Sequence, residues 1–161
     1  MTNVWLSPMN ASDVMTKNVI FVDPDTPTRV VAKLLLDKGI SAAPVVDATG
    51  AAIGMVSEGD LIRREIDRRS LSRAWWLEIL AEGEDLAGEF LDYVKASDRP
   101  VREVMTAPVV TIAEDTPIQA IAEILQARGI KRVPVLRNGR VVGIVSRADL
   151  VRALAKGTTT R

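Results

Sequence analysis

Two repeated stretches decide the fold: GISAAPVVDATGAAIGMVSEGDL, Gly39–Leu61, and GIKRVPVLRNGRVVGIVSRADL, Gly129–Leu150. Both contain the frame Gly-Ile-x-x-x-Pro-Val, and both end in Ser-x-x-Asp-Leu. Extended in both directions, the alignment pairs Val14–Arg63 with Val104–Arg152, and twenty of its forty-nine pairs are identical. Chance does not produce that degree of identity, so the chain is an internal repeat. Because two units are too few for an open solenoid, we predict a closed pair related by pseudo-twofold symmetry.

Each copy predicts a β-α-β-β-α motif of an α+β fold. β-Branched residues in the segments 18–24 and 108–114 indicate the first strand of each copy. The second and third strands are predicted at APVVD and AAIGMVS in one copy, and at VPVLR and RVVGIVS in the other. Asn138-Gly139 is a strong hairpin signal between the last two. The second helix of each copy then begins at the repeated Ser-x-x-Asp.

The first helix of each copy has signals at both ends. Thr26 and Thr116 suit the N-cap position, and each is followed by a proline that suits the first helical position. Apolar residues follow at helical spacing. Gly39 and Gly129 stand where a helix commonly ends in a left-handed residue. We therefore expect a helix between each threonine and the following glycine.

The segment between the copies carries two amphipathic patterns. SRAWWLEIL and EDLAGEFLDYVKA each place apolar residues on one helical face, so we predict a helical insert rather than a flexible linker. The Trp75-Trp76 pair could stack on a ligand base, but packing or a dimer contact is the simpler interpretation. The predicted organisation is motif 1 at 11–65, the insert at 66–98 and motif 2 at 99–155, with tails at 1–10 and 156–161.

The composition excludes several classes of function. The chain of 161 residues can form a compact domain, and its 21 basic residues balance 21 acidic ones, so no global charge favours nucleic acid. It has no Cys and no His, which removes the commonest nucleophile–base pairs and metal ligands. No apolar run is long enough to span a membrane, and the start MTNVWLSP does not resemble a signal peptide. We expect a cytoplasmic protein that binds no metal and is not an enzyme.

The most informative polar pattern is Ser57-x-x-Asp60, repeated as Ser146-x-x-Asp149. Ser-x-x-acid before an apolar run is typical of a capping box, in which both side chains satisfy amides at a helix start. The same position suits ligand binding, because a helix start offers free amides and the positive end of the helix dipole. An aspartate there can accept hydrogen bonds from two neighbouring hydroxyls, as in a ribose. Both interpretations are open on the sequence alone.

The Gly-Ile-x-x-x-Pro loop is the second repeated signal. Its backbone could hold the edge of a flat ring, with Ile40 or Ile130 as an apolar wall. Alternatively, the glycine only ends a helix and the proline only begins an edge strand. The two interpretations are compatible with each other.

Together these signals resemble a tandem cystathionine-β-synthase (CBS) domain pair. The resemblance rests on VMT, DTP, GISAAPVVD, GMVSEGDL and their second copies, and it covers Ala11–Glu65 and Arg99–Ala155. The insert resembles a bacterial subset with a Trp-Trp helix, in which a BON domain often follows. Only GTTTR follows Lys156, so the given sequence does not support a lipid-binding role of that kind. The resemblance implies two motifs packed sheet against sheet, a homodimer, and AMP, ADP, ATP or S-adenosylmethionine as a regulatory ligand without a catalytic cofactor.

The resemblance also implies two clefts, each composed of residues from both motifs. An early strand and the Gly-Ile loop of one motif hold the base, and the Ser-x-x-Asp of the other motif holds the ribose. The first implied cleft comprises Thr16, Ile20, Ile40, Ala42, Ile144, Ser146 and Asp149. The second implied cleft comprises Thr106, Val110, Ile130, Arg132, Met55, Ser57 and Asp60.

Positive charge distinguishes the two copies. In the second copy, Lys131 and Arg132 take the place of a serine and an alanine, and Arg147 takes the place of Glu58. Because arginine can bind phosphate with two donors, we predict a phosphate role for Arg132, supported by Lys131 and Arg147. The alternative is that these cations are only solvated on an exposed loop. The leading hypothesis is an adenosyl-ligand sensor that regulates an unidentified protein, and the alternative is a ligand-independent dimerisation module.

Overall fold

A computed structural model describes residues 9–67 and 99–157, which include both copies of the repeat. Helices and short strands alternate along these residues, which confirms the α+β class. The two helices predicted around Trp75-Trp76 lie outside the described residues. Within the described part of the chain, no helix combines the length and the apolar character that crossing a membrane requires.

Each copy forms a helix, two strands and a further helix in the same order. A short helix precedes this set in the first copy, and a 3₁₀ turn precedes it in the second. In chain order, the elements of the first copy are α1 (Ala11–Val14), α2 (Thr28–Lys38), β1 (Ala42–Val46), β2 (Ala52–Ser57) and α3 (Glu58–Asp67). Those of the second are the 3₁₀ turn (Val101–Glu103), β3 (Ile112–Ala113), α4 (Ile118–Ala127), β4 (Arg132–Arg137), β5 (Arg140–Ser146) and α5 (Arg147–Gly157).

The described residues form two compact units. In unit 1, β3 pairs parallel with β4, and β4 pairs antiparallel with β5. In unit 2, β1 pairs with β2, and Val22 forms a parallel bridge to Val45. Unit 1 consists of residues 9–20, Ala48–Ala52 and 109–157, and unit 2 consists of Phe21–Asp47, 53–67 and 99–108.

The first segment of each motif packs in the unit of the other copy. The N–H of Ala11 donates to the carbonyl of Thr116 at 2.9 Å, so α1 belongs to unit 1 with the second copy. The N–H of Val101 donates to the carbonyl of Thr26 at 2.8 Å, so the 3₁₀ turn belongs to unit 2 with the first copy. The compact units and the sequence repeat therefore do not coincide at the start of each motif.

Each unit has its own apolar core. The first helix of each copy buries residues four apart, Val31 with Leu35 and Ile121 with Leu125, as expected for an amphipathic helix on a sheet. The core of unit 2 comprises Val22, Val31, Leu35, Ala43, Val45, Val56, Leu61, Val101 and Val104. The core of unit 1 comprises Ala11, Ile112, Ile121, Leu125, Val133, Val135 and Val145.

The glycine and turn predictions are confirmed. Gly39 and Gly129 both have a φ of 61°, the left-handed conformation that glycine adopts without steric cost. Asn138 and Gly139 have φ angles of 51° and 75°, as a hairpin of this kind requires. The sequence therefore specified where the first helices end and where β4 turns into β5.

The predicted helix starts are wrong by one residue. The N-cap positions are occupied by Pro27 and Pro117, which have extended ψ angles of 141° and 144°, and not by Thr26 and Thr116. Neither cap uses a side-chain hydrogen bond. The first helical N–H of α2, that of the residue after Pro27, instead donates to the carbonyl of Arg99 at 2.8 Å. A backbone partner from the other copy thus replaces the predicted threonine cap.

The predicted first strands are much shorter than the segments 18–24 and 108–114. Within the segment 18–24 only Val22 forms a β-bridge, and within the segment 108–114 the strand β3 has only two residues. A local turn ends each of them. The side chain of Asp23 accepts the N–H of Asp25 at 2.8 Å, and the N–H of Thr116 donates to the carbonyl of Ala113 at 3.1 Å.

Candidate functional site

The repeated Ser-x-x-Asp forms the same capping box in both copies. The helices α3 and α5 begin directly after Ser57 and Ser146. The N–H and hydroxyl of Ser57 donate to Asp60 Oδ2 at 2.9 and 3.0 Å, and the N–H of Asp60 donates back to Ser57 Oγ at 3.2 Å. The corresponding distances for Ser146 and Asp149 are 2.7, 2.8 and 3.3 Å. The capping interpretation is therefore confirmed, and it occupies only one oxygen of each carboxylate.

Both aspartates are buried, and the second oxygen of each has a different partner. Asp60 is 8% exposed and Asp149 is 6% exposed. Asp60 Oδ1 accepts a hydrogen bond from the hydroxyl of Thr106 at 3.0 Å, whereas Asp149 Oδ1 accepts one from Nη1 of Arg152 at 2.6 Å. Buried carboxylates of this kind are costly unless they are hydrogen-bonded, and here both oxygens of each aspartate have a partner.

Backbone bridges place a threonine beside the strand that leads into each serine. In unit 1, Thr16 and Ile144 exchange N–H to carbonyl bonds of 2.9 and 3.1 Å. In unit 2, Met55 and Thr106 do the same at 3.0 and 2.8 Å. The structure thus brings together Thr16 with Ile144, and Thr106 with both Met55 and Asp60.

A methionine–glycine contact, which was not predicted from the sequence, supports each of these bridges. The side chain of Met15 packs over Gly143, and that of Met105 packs over Gly54. A Cβ on Gly54 would lie 2.5 Å from Met105 Sδ and 3.1 Å from the carbonyl oxygen of Thr106, so only glycine leaves the required space. The recurrence of both methionine and glycine in the two copies was the available signal.

Each Gly-Ile loop is tied to the capping box of its own copy. The N–H of Glu58 donates to the carbonyl of Ser41 at 3.0 Å, and the N–H of Arg147 donates to that of Lys131 at 3.0 Å. Ile40 and Ile130, which directly follow the left-handed glycines, are partly buried and pack against the cores of their units. The loop and the Ser-Asp pair of one copy therefore form a continuous surface within one unit.

The cations of the second loop lie around the Ser146–Asp149 pair. Arg132 begins β4 directly opposite Ser146 in the strand register, and it is half-buried. Within residues 9–67 and 99–157, its guanidinium has no side-chain partner. Arg147 Nε donates to the carbonyl of Ile130 at 3.2 Å, and Lys131 is exposed. Unit 1 therefore carries a positive cluster for which unit 2 has Ser41, Ala42 and Glu58 at the matching positions.

Each implied cleft draws its residues from both units. Of the first set, Thr16, Ile20, Ile144, Ser146 and Asp149 lie in unit 1, and Ile40 and Ala42 lie in unit 2. Of the second set, Thr106, Met55, Ser57 and Asp60 lie in unit 2, and Val110, Ile130 and Arg132 lie in unit 1. Four or five members of each set thus share one unit, and the ligand-binding roles of all members remain predictions.

A family model described as the CBS domain matches residues 11–67 and 101–156. An uncharacterized protein of Methanocaldococcus jannaschii is 30% identical over 91% of this chain and 91% of its own length. A second uncharacterized protein of that organism is 29% identical over 88% of this chain. The chain spans only 31% of that second relative.

Solved structures agree with the family match. The CBS domain of a CBS domain-containing membrane protein from Sphaerobacter thermophilus is 34% identical, with a TM-score of 0.67 over 89% of this chain and 86% of that one. CBSX2, solved in complex with AMP, is 25% identical, with a TM-score of 0.68 over 91% of this chain and 96% of that one. CBSX2 of Arabidopsis thaliana is a chloroplastic CBS domain-containing protein. Because the family model covers both copies of the repeat, this chain belongs to the CBS domain family.

Proposed function

We propose that the chain is a regulatory module that binds an adenosine-containing ligand, AMP, ADP, ATP or S-adenosylmethionine, without chemistry on it. The duplicated Ser-Asp pair carries the proposal. In each copy, a carboxylate that is more than nine-tenths buried is fixed by a helix start, and its Oδ1 has a partner that a ligand can replace. A ribose presents neighbouring hydroxyls, which are the donors that such an oxygen accepts.

The AMP complex of CBSX2 supports the choice of ligand. That protein shares the fold and a quarter of its residues with this chain, and AMP contains the adenine and ribose that the Ser-Asp pairs and Gly-Ile loops would bind. In this proposal, Ile40 and Ile130 provide apolar contacts to the base. The regulated protein would be a separate partner or a further domain of a longer chain.

The positive cluster of unit 1 supports a preference for phosphorylated ligands. Arg132 lies opposite Ser146 in the register, and its guanidinium can bind phosphate with two parallel donors. Arg147 and Lys131 add charge on the same loop and helix start. We therefore propose that phosphate groups of a ligand held at Ser146–Asp149 are bound by this cluster, so that ATP binds more tightly than adenosine.

Isothermal titration of the chain with the four ligands and adenosine tests the proposal. Asp60→Ala and Asp149→Ala should each weaken binding or remove one class of site, because each deletes a ribose acceptor. Asp37→Ala is the matched control, since Asp37 is an exposed carboxylate paired with Lys33 on α2. Thermal unfolding of each variant separates lost binding from a lost helix cap. The proposal fails if no ligand binds at millimolar concentration, or if both aspartate variants bind like the wild type.

A second candidate function is ligand-independent dimerisation, and an apolar helix face in unit 1 favours it. Val151 is 63% exposed and Leu154 is 50% exposed on α5. Val151 lines a groove of about 340 Å³ between α4 and α5, together with Ala122, Leu125, Gln126, Arg147 and Leu150. Large apolar residues at such positions are commonly covered by a partner, and we propose a second copy of the chain.

Sedimentation equilibrium with and without AMP distinguishes the two functions. Val151→Glu should shift a dimer toward monomer, because it places a charge on the apolar face. Ala113→Glu is the control, since it adds the same charge at an exposed position of β3. A dimer that ignores AMP but is broken only by Val151→Glu supports the dimerisation module, and a wild-type monomer at all concentrations excludes it.

A further inference from the structure

The two Ser-Asp pairs differ at one atom, the second carboxylate oxygen. The Oδ2 atoms of Asp60 and Asp149 each accept two hydrogen bonds from the preceding serine, at 2.9 and 3.0 Å in unit 2 and at 2.7 and 2.8 Å in unit 1. A carboxylate oxygen has two lone pairs, so Oδ2 is saturated in both units. Any ligand hydroxyl must therefore use Oδ1.

Arg152 occupies Oδ1 in unit 1. Its Nη1 lies 2.6 Å from Asp149 Oδ1, one helical turn further along α5. The arginine side chain is 68% exposed, whereas that of Asp149 is only 5% exposed. A solvent-exposed guanidinium thus covers the one unsaturated oxygen of a buried carboxylate, and it can leave toward solvent without any change in the core.

In unit 2 the same oxygen has a weaker partner. Thr106 donates its hydroxyl to Asp60 Oδ1 at 3.0 Å. Hydrogen bonds with a charged donor are shorter and roughly twice as strong as neutral ones. Thr16 is the counterpart of Thr106, and in the described part of the chain it makes no hydrogen bond to Asp149. Among the described side chains, Asp60 Oδ1 thus has a neutral partner and Asp149 Oδ1 has a charged one.

We propose that Arg152 is a specificity-determining residue that competes with ribose hydroxyls for Asp149 Oδ1. The inference rests on the proposed function, since it assumes a ribose at the Ser-Asp pair. Because Oδ2 is saturated, a ribose that binds Asp149 through both hydroxyls needs both lone pairs of Oδ1 and must displace the guanidinium, whereas at Asp60 it displaces only the Thr106 hydroxyl. Arg152 therefore lowers the affinity of Asp149 for ligands that bring no negative charge.

Titration with adenosine in the full chain tests the competition. An Asp60→Ala background removes the ribose acceptor of unit 2, so that the remaining binding reports on Asp149. Adding Arg152→Ala should tighten adenosine binding by about two- to fivefold, which corresponds to an ion pair of about 0.4–1 kcal/mol with one exposed partner. Arg128→Ala is the matched control, because Arg128 is an exposed arginine at the end of α4 in the same unit.

A ligand without the ribose hydroxyls distinguishes competition at Asp149 Oδ1 from a general effect of the positive charge on affinity. With dideoxyadenosine, which lacks both hydroxyls, Arg152→Ala should leave the affinity unchanged, and Arg152→Lys should give an intermediate gain with adenosine. The inference is overturned if Arg152→Ala does not tighten adenosine binding, or if the gain is equal for dideoxyadenosine or for Arg128→Ala. In that case the proposed function still stands wherever Asp149→Ala abolishes the remaining binding. If the wild type binds no adenosine-containing ligand, the proposed function and the inference both fail.

Discussion

Gly143 in β5 leaves the space that the side chain of Met15 occupies, and filling that space should destabilise unit 1. A Cβ on Gly143 would lie 2.8 Å from Met15 Cγ and 3.1 Å from Met15 Cβ, and closer still to Sδ. Rotating the end of the methionine cannot relieve a contact that includes its own Cβ. The backbone of residues 9–16 would therefore have to move away from β5, and the Thr16–Ile144 bridge would weaken.

The expected cost follows from two opposing terms. Overpacking a filled site costs about 1–3 kcal/mol. Replacing glycine with alanine also stiffens the unfolded chain, which offsets about 0.4–1 kcal/mol. We therefore expect Gly143→Ala to lower the free energy of unfolding by about 1–2 kcal/mol, and to lower Tm by about 2–8 °C for a chain of this length.

Urea and thermal unfolding of a double-mutant cycle with Met15→Ala check this explanation. Truncating Met15 to alanine removes the Sδ and Cγ atoms that the new Cβ meets most closely and leaves only the 3.1 Å contact with Cβ, so Gly143→Ala should cost much less in that background. The coupling between the two positions should then equal most of the single-variant cost. An equal loss of stability in both backgrounds would refute the steric explanation, and so would a Gly143→Ala protein that unfolds like the wild type.

Two further predictions concern stability. Leu35 is only 2% exposed in the core of unit 2, so Leu35→Ala should lower the free energy of unfolding in urea by about 2–5 kcal/mol. Leu36→Ala is the control, because the neighbouring Leu36 is 70% exposed and its truncation should cost little. Equal costs for the two variants would contradict the packing. Arg137 hydrogen-bonds Glu114 and so lowers the pKa of Glu114. A carboxyl group whose pKa is lower in the folded state stabilises the fold at pH values above its unfolded pKa, and this stabilisation is lost as the pH falls through its folded pKa. Arg137→Gln should therefore lower Tm at neutral pH, but not in acid below the lowered pKa of Glu114. A difference in Tm that does not depend on pH would rule out the ion pair.

The sequence predicted the parts of the fold that depend on local chemistry. Gly39 and Gly129 end helices because the left-handed conformation is free of steric cost only for glycine. Asn138-Gly139 forms the turn because a two-residue hairpin of this type needs a positive φ at both positions, which asparagine and glycine adopt most readily. The capping boxes at Ser57 and Ser146 depend on residues three apart, so their geometry also follows from the sequence. Such short-range interactions can be predicted because both partners lie within a few residues of each other in the sequence.

The remaining features depend on partners that are distant in sequence. The first N–H of α2 bonds to the carbonyl of Arg99, and no local rule indicates that a segment of the other copy will supply this cap. The contact of Thr106 with Asp60 spans forty-six residues, and only the family resemblance, not a local rule, placed these two residues in one cleft. The pair of Arg152 with Asp149 is different, because opposite charges three residues apart on a helix are a recognised sequence signal for an ion pair, and this pair could have been predicted.

The duplicated aspartates reconcile the structural and the ligand-binding interpretations of Ser-x-x-Asp. Capping uses Oδ2 alone, so the helix start is satisfied in both copies whatever contacts Oδ1. The frame can therefore be retained for stability while the partner of Oδ1 differs, a threonine hydroxyl at Asp60 and a guanidinium at Asp149. Substitutions that change the Oδ1 partner should alter ligand preference with little cost in folding, because the bonds that cap the helix are left intact.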